Sequence, residues 1–437
     1  MRILFLTQVL PYPLDAGAKV RAYFVLRHLA QGHDVTLLSF TRPSDAPDAV
    51  AHLNTFCREV RTVPMRRTAS DELLSMVKSV LSGAPHMIVR DEKADMLAAS
   101  RAIARNTGFD VIHSDQLSMA YYALAAADAS ARRLRLVLDA HNAYFLIPQR
   151  MAAVTSNPVK RLYFRREAAL FARYEADTYR RFDHVLTVSD EDLGHLRKLM
   201  SASKSASRQP QSPAFNPQAS TPTFTSIPIC VEPSQAPIPR DPKARGILIL
   251  GGMHWPPNAD GAEWFAREVF PRIRAQAPAA RLFIVGARPP RALRVLGDFI
   301  GIRHPDQAGD APIVVTGYVP DPSPFIEAST LMAVPLRSGG GMRVKIVEAL
   351  NWGLPLVTTT VGGEGIDLTD GREALLADGA PGLAEAVLRV LGDAELAQRL
   401  ADGGRTLVAS RYDWRARYRV LDTVYAAWEE GMQARSG

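Results

Sequence analysis

The chain has 437 residues, 47% of them hydrophobic and 22% charged, a composition that supports a sizeable core and excludes a disordered or fibrous protein. Its length predicts two or three domains. Its two cysteines, Cys57 and Cys230, are too few for a disulfide framework and are not spaced for a zinc site. The excess of 52 Lys+Arg over 45 Asp+Glu, a net +7, favours anionic partners without naming one.

The opening run Met1–Leu6 breaks at Thr7-Gln8 with no small-residue cleavage site after it, so it reads as a first strand and not as a secretion signal. No apolar stretch approaches the ~20 residues needed to span a bilayer. A cytoplasmic protein is expected, and any membrane contact would be peripheral.

The N-terminal half alternates aliphatic runs with helical patterns: Arg2–Leu6, a helix from Ala18 to Ala30, then Val35–Phe40, Val111–Ser114, Leu134–Asp139 and His184–Val188. This alternation predicts a parallel sheet with crossover helices. Gly32 stands where a helix-closing glycine would, before the next strand. From Lys160 to Arg181 seven basic residues face three acidic ones, interleaved with Leu162, Phe164, Leu170 and Phe171. Such a helix reads either as a solvated face or as an amphipathic surface for an anionic membrane, at the inner face of the plasma membrane. Nucleic acid is not expected, because no recognition module accompanies the charge.

Residues 201–226 turn to Ser, Pro, Gln and Ala with no period and predict a flexible insertion. A second alternating series follows: Gly246–Leu250, Leu282–Val285, Ile313–Thr316, Leu331–Val334 and Leu356–Thr359. Two doubly wound units in tandem are implied, with a linker over 233–243 that carries Pro233, Pro237, Pro239 and Pro242. Ligands bind beyond the carboxyl ends of such strands, so the expectation is an interdomain cleft between two facing sheets.

The strongest local signal is the run from Pro335 through Ser338-Gly339-Gly340-Gly341-Met342-Arg343-Val344-Lys345 to Glu348. A strand ends, glycines let backbone approach a ligand, and a helix begins with its amides and positive dipole end toward the loop, which suits a phosphate. Arg343 and Lys345 at that helix start oppose the dipole unless an anion sits between them. Glu348 lies one turn beyond Lys345 on the same face, as a carboxylate reaching ribose hydroxyls would. No Gly-x-x-x-x-Gly-Lys-Ser/Thr loop occurs, and Gly362-Gly363-Glu364-Gly365 does not fit Gly-x-Gly-x-x-Gly.

Asp190-Glu191-Asp192 resembles an Asp-x-Asp metal motif, but Ser189 with Asp192 three residues on reads better as a helix capping box. No His-x-x-x-His or His-Glu pattern occurs, so no catalytic metal and no further cofactor are expected. Asp139-Ala140-His141-Asn142 follows an aliphatic run. Its polar cluster either hydrogen-bonds a sugar or includes a buried, satisfied histidine. In Pro11–Arg21, Gly17 can present backbone N–H groups to a phosphate, while Lys19 and Arg21 either attract an anionic acceptor or are simply solvated.

Together the motifs Pro11–Arg21, Asp139–Asn142, Val185–Asp192, Ile227–Glu232, Gly251–Asn258, Thr316–Val319 and Gly339–Gly365 resemble the retaining glycosyltransferases of family four, over nearly the whole chain outside 201–226. The Gly-Gly-Gly-Met-Arg-Val-Lys variant is most similar to sugar transferases of bacterial exopolysaccharide and exosortase systems. The resemblance implies the GT-B fold, with two Rossmann-like domains: 1–235, which binds acceptor and takes back a C-terminal helix 416–437, and 240–415, which binds nucleotide sugar. It implies that Glu348 binds the donor ribose, that Gly317, Tyr318 and Val319 contact the base, that Val361–Gly365 with Gly363 and Glu364 borders the sugar, and that Gly17 and His141 lie near the diphosphate and the transferred sugar.

Two departures from the family pattern stand out. Gly340 replaces the first member of the frequent Glu-x7-Glu pair, and Gly251-Gly252-Met253-His254-Trp255 replaces a basic pair. Arg343 and Lys345, beside Gly340 and Gly341, are then expected to supply the diphosphate charges. The expected reaction moves a sugar from a nucleotide diphosphate sugar to a hydroxyl of a glycan or lipid-linked saccharide. A nucleotide-sugar epimerase and a catalytically silent nucleotide-sugar-binding protein are the rival readings.

Overall fold

The computed structural model describes residues 1–202, 222–241 and 243–436. The chain divides into two compact units, Met1–Cys230 with Trp414–Gly437, and Val231–Asp413. The break after Cys230 lies ahead of the 233–243 stretch, whose residues belong to the second unit: the Ser234 amide donates to Asn351 and that of Ile238 to the Trp352 carbonyl. Pro242 lies outside the described residues.

Among the described residues the first unit holds a seven-stranded sheet in the order β3-β2-β1-β4-β5-β6-β7. The strands are β1 (Arg2–Thr7), β2 (Asp34–Thr41), β3 (Glu59–Pro64), β4 (Val111–Asp115), β5 (Arg135–Ala140), β6 (His184–Thr187) and β7 (Thr223–Ser226), all parallel. The second unit holds six, β10-β9-β8-β11-β12-β13: β8 (Gly246–Leu250), β9 (Arg281–Val285), β10 (Ile313–Gly317), β11 (Ser329–Val334), β12 (Leu356–Thr358) and β13 (Leu375–Leu376), again parallel. Helices cover both faces of a parallel sheet, which is why central strands such as Ile3–Leu6 and Ile247–Ile249 are apolar without alternation and buried throughout. Each sheet reverses its winding at one point, between β1 and β4 in the first and between β8 and β11 in the second.

The strands that escaped the sequence pattern are edge strands. β3 carries Glu59 and Arg61 and ends in Pro64, the charge and proline that keep an edge from pairing further. β7 lies inside the stretch expected to lack structure, and Ser201–Ala202 complete the Asp190–Ala202 helix. Both ends of 201–226 are therefore ordered elements, and 203–221 lie outside the described residues. Gly32 also differs from expectation. It is the last residue of the Gly17–Gly32 helix, and the cap falls on His33 in an extended conformation, so no left-handed glycine closes this helix.

The C-terminal segment forms a short helix, Trp414–Arg417, and then Arg419–Ser436. Its inner face completes the first unit's core: Trp414 stacks on Phe24 at 5.4 Å, and the Tyr425 hydroxyl lies 2.6 Å from Nδ1 of His113 on β4. Between them sits Arg21, which was expected to be solvated or to attract an acceptor and does neither. Its side chain is fully buried. It binds Asp139 on β5 through Nε (2.9 Å) and Nη2 (3.2 Å), donates from Nη1 to the carbonyls of Ile227 and Pro228 (3.0 Å each), and lies over the Tyr418 ring. Burial opposes both charges, but each partner holds the other ionised: Arg21 is raised, and Asp139 falls well below the usual carboxylate range. Lys19 is likewise occupied, paired with Asp15 at 2.9 Å.

Removing one partner of a buried pair leaves the other charge without compensation, which costs about 3–5 kcal/mol. Arg21→Met and Asp139→Leu are each expected to lower the melting temperature of the first unit sharply. The double variant should lose far less than the sum of the two, as read by differential scanning calorimetry.

Candidate functional site

The carboxyl ends of the second sheet are drawn together by glycines. Gly286, after β9, lies so close to Gly251, after β8, that an added Cβ would fall 1.7 Å from the Gly251 carbonyl oxygen, and its amide donates to the Gly317 carbonyl at the end of β10. Only glycine permits that approach. Lys345, in the first turn of the Val344–Asn351 helix, reaches over this platform. Its Nζ donates to Oδ1 of Asn258 at 2.9 Å, and the Asn258 amide nitrogen donates in turn to the Gly252 carbonyl at 3.0 Å. Lys345 faces no carboxylate in this arrangement, and burial, with the Arg343 charge adding to it, pushes its pKa down to about 7. The opposition between a charged Lys345 and the helix dipole that the sequence predicted is relieved in this way, by loss of the charge near neutral pH.

Arg343 stands at the helix N-cap and folds back over its own loop. Its Nη1 donates to the carbonyls of Gly340 and Gly341, and Nη2 approaches the Val361 carbonyl at 3.4 Å. Gly339 has φ +144° and would place a Cβ 2.8 Å from the same guanidinium. Arg343 is thus first a brace that joins the loops after β11 and β12. Thr359 adds a second tie: its hydroxyl donates to the Leu336 carbonyl at 2.6 Å and accepts from the Gly362 amide at 2.9 Å. Arg337, in the same loop, is held by Asp260 in a bidentate pair at 3.0 and 2.6 Å.

The first sheet carries a different constellation at its winding reversal. Asp115 ends β4, and His141 follows β5; Nε2 of His141 lies 2.9 Å from Oδ1 of Asp115, with both side chains buried. Burial disfavours a charged His141, yet Asp115 and then Asp139 outweigh it and raise its pKa. The contact is a close ion pair. Among the described residues neither His141 Nε2 nor either Asp115 oxygen has a hydrogen-bond partner beyond this pair, and Thr7 Oγ1, Gln116 Nε2 and Ser118 Oγ have none. Each such buried polar atom costs about 1–3 kcal/mol unless a ligand or solvent satisfies it. Hydroxyl donors, an amide donor and a carboxylate acceptor together match a molecule that presents several hydroxyls.

Gln116 stands in a strained backbone region, φ 71° and ψ 156°, which is populated almost only by glycine. Two buried carboxylates fix the loop after His141. Glu175 accepts from the amides of Tyr144 and Phe145 at 2.9 Å each, and Asp192 accepts from that of Ala143 at 3.4 Å. Ser189 caps the helix that carries Asp192: its Oγ accepts from the Asp192 amide at 3.1 Å and donates to Asp192 Oδ2 at 3.2 Å. The capping reading of Ser189–Asp192 therefore describes this segment.

Among the described residues Asp115, Asp139 and His141 are the trio whose ligand atoms lie within 4.8 Å of one another. Arg21 already occupies both oxygens of Asp139, so a cation there would meet a guanidinium at bonding distance. Arg21 and His141 join the trio into an ion-pair network.

Comparison with known proteins names this arrangement. The glycosyltransferase family 4 model matches residues 16–205, and the glycosyl transferases group 1 model matches residues 244–393. The chain is a family-four glycosyltransferase. Sucrose-phosphate synthase of Thermosynechococcus elongatus superposes with a TM-score of 0.67 at 18% identity over 99% of this chain and all of its own. Anabaena HepE, solved with UDP-glucose, does so with 0.64 at 14% identity over 98% and 100%. Both likenesses identify the fold as GT-B. In sequence, an uncharacterised 44.6 kDa protein of the Klebsiella pneumoniae cps region is 19% identical, covering 94% of this chain and 96% of its own length.

In this glycosyltransferase the residues singled out by sequence fall at the carboxyl edges of the two sheets. Gly252, Gly340, Gly341, Arg343, Lys345 and Gly363 gather around the β8/β11 reversal, with Glu348 a turn further along its helix and Glu364 just past Gly363. Tyr318 and Val319 follow β10, two strands away; Tyr318 is exposed and Val319 buried. His141 lies in the first sheet's constellation, and Gly17 opens the helix after β1, whose N-cap Ala16 offers no side-chain cap. Sequence reasoning missed Thr7, Asp115, Gln116 and Ser118, and gave Asn258 no role. The available signal was that His113-Ser114-Asp115-Gln116 turns polar directly after the apolar Val111-Ile112, at a carboxyl strand end.

Gln116→Gly should relieve backbone strain of about 1–3 kcal/mol while deleting one of the unpartnered amides. The expected result is a melting temperature equal to or above the parent's, with transfer activity lowered. A clear drop in stability would show that Gln116 is retained for packing.

Proposed function

We propose that this glycosyltransferase moves a sugar from a nucleotide diphosphate sugar to a hydroxyl of a glycan or lipid-linked saccharide, with retention of configuration, in the synthesis of an exopolysaccharide or other cell-surface polysaccharide. The observation that carries the donor assignment is Lys345: a buried amine held near neutrality over a glycine platform, beside a helix N-terminus, is prepared for an anion that restores its charge. In this reading Arg343 and the loop amides complete the cationic side, and Glu348, one turn on, takes the ribose hydroxyls. HepE, of the same fold, was solved with UDP-glucose, which supports a nucleotide sugar as donor. The cps-region relative supports a polysaccharide product.

The first unit contributes the hydroxyl-matching constellation of Asp115, Gln116, Ser118, Thr7 and His141, and Gly17 opens an uncapped helix suited to phosphate oxygens. In the reaction the acceptor oxygen bonds to the anomeric carbon as that carbon's bond to the diphosphate oxygen breaks, and the acceptor hydroxyl's proton passes to the departing diphosphate oxygen. Positioning and stabilisation of the departing diphosphate by Arg343, Lys345 and the loop amides supply the catalysis, with no protein nucleophile. In this reading Arg343, and Lys345 once an anion restores its charge, take the part a divalent ion would otherwise play at the leaving group, so turnover is expected to withstand EDTA.

The first test is a thermal-shift panel of UDP, GDP, ADP, dTDP and their sugars, each with and without EDTA. One nucleotide family should stabilise the protein, unaffected by the chelator, and the shift should vanish in Arg343→Ala/Lys345→Ala. An unchanged donor affinity in that variant would refute the role of this loop. Conversion of the donor to an isomer without acceptor would identify an epimerase, and a stable glycosyl adduct in the mass spectrum would replace the proposed mechanism with a covalent one.

Lys345 also sets a pH dependence. Its amine is charged below about 7 and neutral above, and only the charged form pairs with a diphosphate, so binding takes up a proton at alkaline pH. Affinity for the nucleotide sugar should be greatest below pH 7 and fall by up to about ten-fold per pH unit above it. Calorimetry in buffers of different ionisation enthalpy reads the proton uptake directly, and Lys345→Met should flatten the profile.

A further inference from the structure

The Ala69–Ser82 helix is inside out. Its buried positions are Ser75 and Ser79, 5% and 1% exposed, while Leu73, Leu74, Met76, Val77, Val80 and Leu81 are between 48% and 81% exposed. At 3.6 residues per turn those six occupy one arc of about 160°, opposite the serines. The helix is held to the protein by polar contacts. Ser75 Oγ lies 3.0 Å from His86 Nε2, Ser79 Oγ donates to the Ala84 carbonyl, and Arg166 donates to the Ser79 carbonyl at 2.9 Å. A full Thr68–Asp71 capping box and the left-handed Gly83 close its two ends, so this is a built helix with its apolar face outward.

Arg166 belongs to the Pro158–Tyr179 helix, whose first turns expose a second apolar pair, Val159 at 75% and Leu162 at 71%, interleaved with the exposed Lys160, Arg161 and Arg165. The first helix has its own exposed cation, Lys78, at the margin of its arc. Its acidic residues are engaged: Asp71 lies 3.5 Å from Lys93, and Glu72 lies 3.6 Å from His86.

We propose that these two helices form a docking surface for an anionic lipid bilayer, with the Ala69–Ser82 helix lying in the interface plane and the basic turns of the Pro158–Tyr179 helix set among lipid headgroups. Three observations select this occupant. The 14-residue helix is about 21 Å long, short of the ~30 Å hydrocarbon core, so it can lie in the membrane surface without crossing it. Lys and Arg stand between the apolar residues, which disfavours the dry core of a protein interface, where lysine is depleted, and suits side chains that reach up to phosphates. With Asp71 and Glu72 engaged by Lys93 and His86, the charges beside the apolar centre that carry no ion pair among the described residues, Lys78, Lys160, Arg161 and Arg165, are cationic. Apolar burial and attraction to anions are what peripheral binding combines. The sequence had pointed only to the basic stretch from Lys160; the inserting element is the helix beside it.

The test is independent of catalysis. Full-length protein is floated with phosphatidylcholine vesicles, with and without phosphatidylglycerol, at low and high salt. The parent should bind the phosphatidylglycerol vesicles at low salt and partly dissociate at high salt. Leu74→Glu/Val77→Glu should bind at least about ten-fold more weakly, with nucleotide-dependent thermal shifts unchanged. Lys160→Glu/Arg161→Glu/Arg165→Glu should also weaken binding and abolish its salt dependence. Because Cys57 and Cys230 are buried, Leu81→Cys can be labelled with a polarity-sensitive fluorophore, whose emission should shift to the blue only with phosphatidylglycerol vesicles. Parent protein that stays with the buffer, equal binding to neutral vesicles, or a parent dimer in sedimentation velocity that Leu74→Glu/Val77→Glu dissociates would each overturn the proposal, the last assigning the face to a second copy of the chain.

Discussion

Arg21 fastens four separate pieces of the first unit with one guanidinium. It departs from the helix after β1, closes on Asp139 at the end of β5, holds the carbonyls of Ile227 and Pro228 after β7, and lies under Tyr418 of the returning C-terminal segment. In a buried setting each of its N–H groups must find an acceptor, and the acceptors come from two distant parts of the chain, Asp139 on β5 and the carbonyls of Ile227 and Pro228 after β7. The first unit is therefore assembled from both ends of the sequence, and the same pair that binds it together sets the charge around His141 and Asp115.

That arrangement separates carboxylates with different duties. Asp139 is satisfied and ionised by Arg21, and Glu175 and Asp192 are turned to backbone amides that fix the loop after His141. Asp115 alone of these has no partner among the described residues beyond His141, whose pKa it raises, and it stands beside a glutamine in a conformation glycine would prefer. Unmet polar capacity and backbone strain are costs that a stable fold sheds unless they serve a ligand, and here they coincide at the winding reversal of the sheet.

The second unit reaches a comparable point by other means. Its glycines remove side chains so that the ends of β8, β9 and β10 come within backbone contact, and the cations are then laid over that surface by Asn258 and by the loop carbonyls that hold Arg343. Lys345 is kept near neutrality by burial, which makes its charge conditional on an anion. That one lysine, supplied from the helix after β11, reaches the loop after β8 through Asn258.

The sequence alone determined the architecture, because the long central strands and the glycine loop before Arg343 are local signals: apolar runs that a parallel sheet buries, and residues chosen for backbone freedom. It also placed His141 at a strand end and Ser189–Asp192 at a helix start. What only the tertiary structure decided concerns partners distant in the chain. Lys19 and Arg21 look solvated in sequence, since nothing local reveals that Asp139, Ile227 and Tyr418 converge on Arg21. Asp115 looks like the unremarked end of a strand until Thr7, Gln116 and His141 gather around it. The edge strands β3 and β7 are hidden for the opposite reason: they are half-exposed, so their residues carry little of the apolar pattern. And the Ala69–Ser82 helix shows an ordinary amphipathic period. A period states that a helix has two faces; only packing decides which face turns inward.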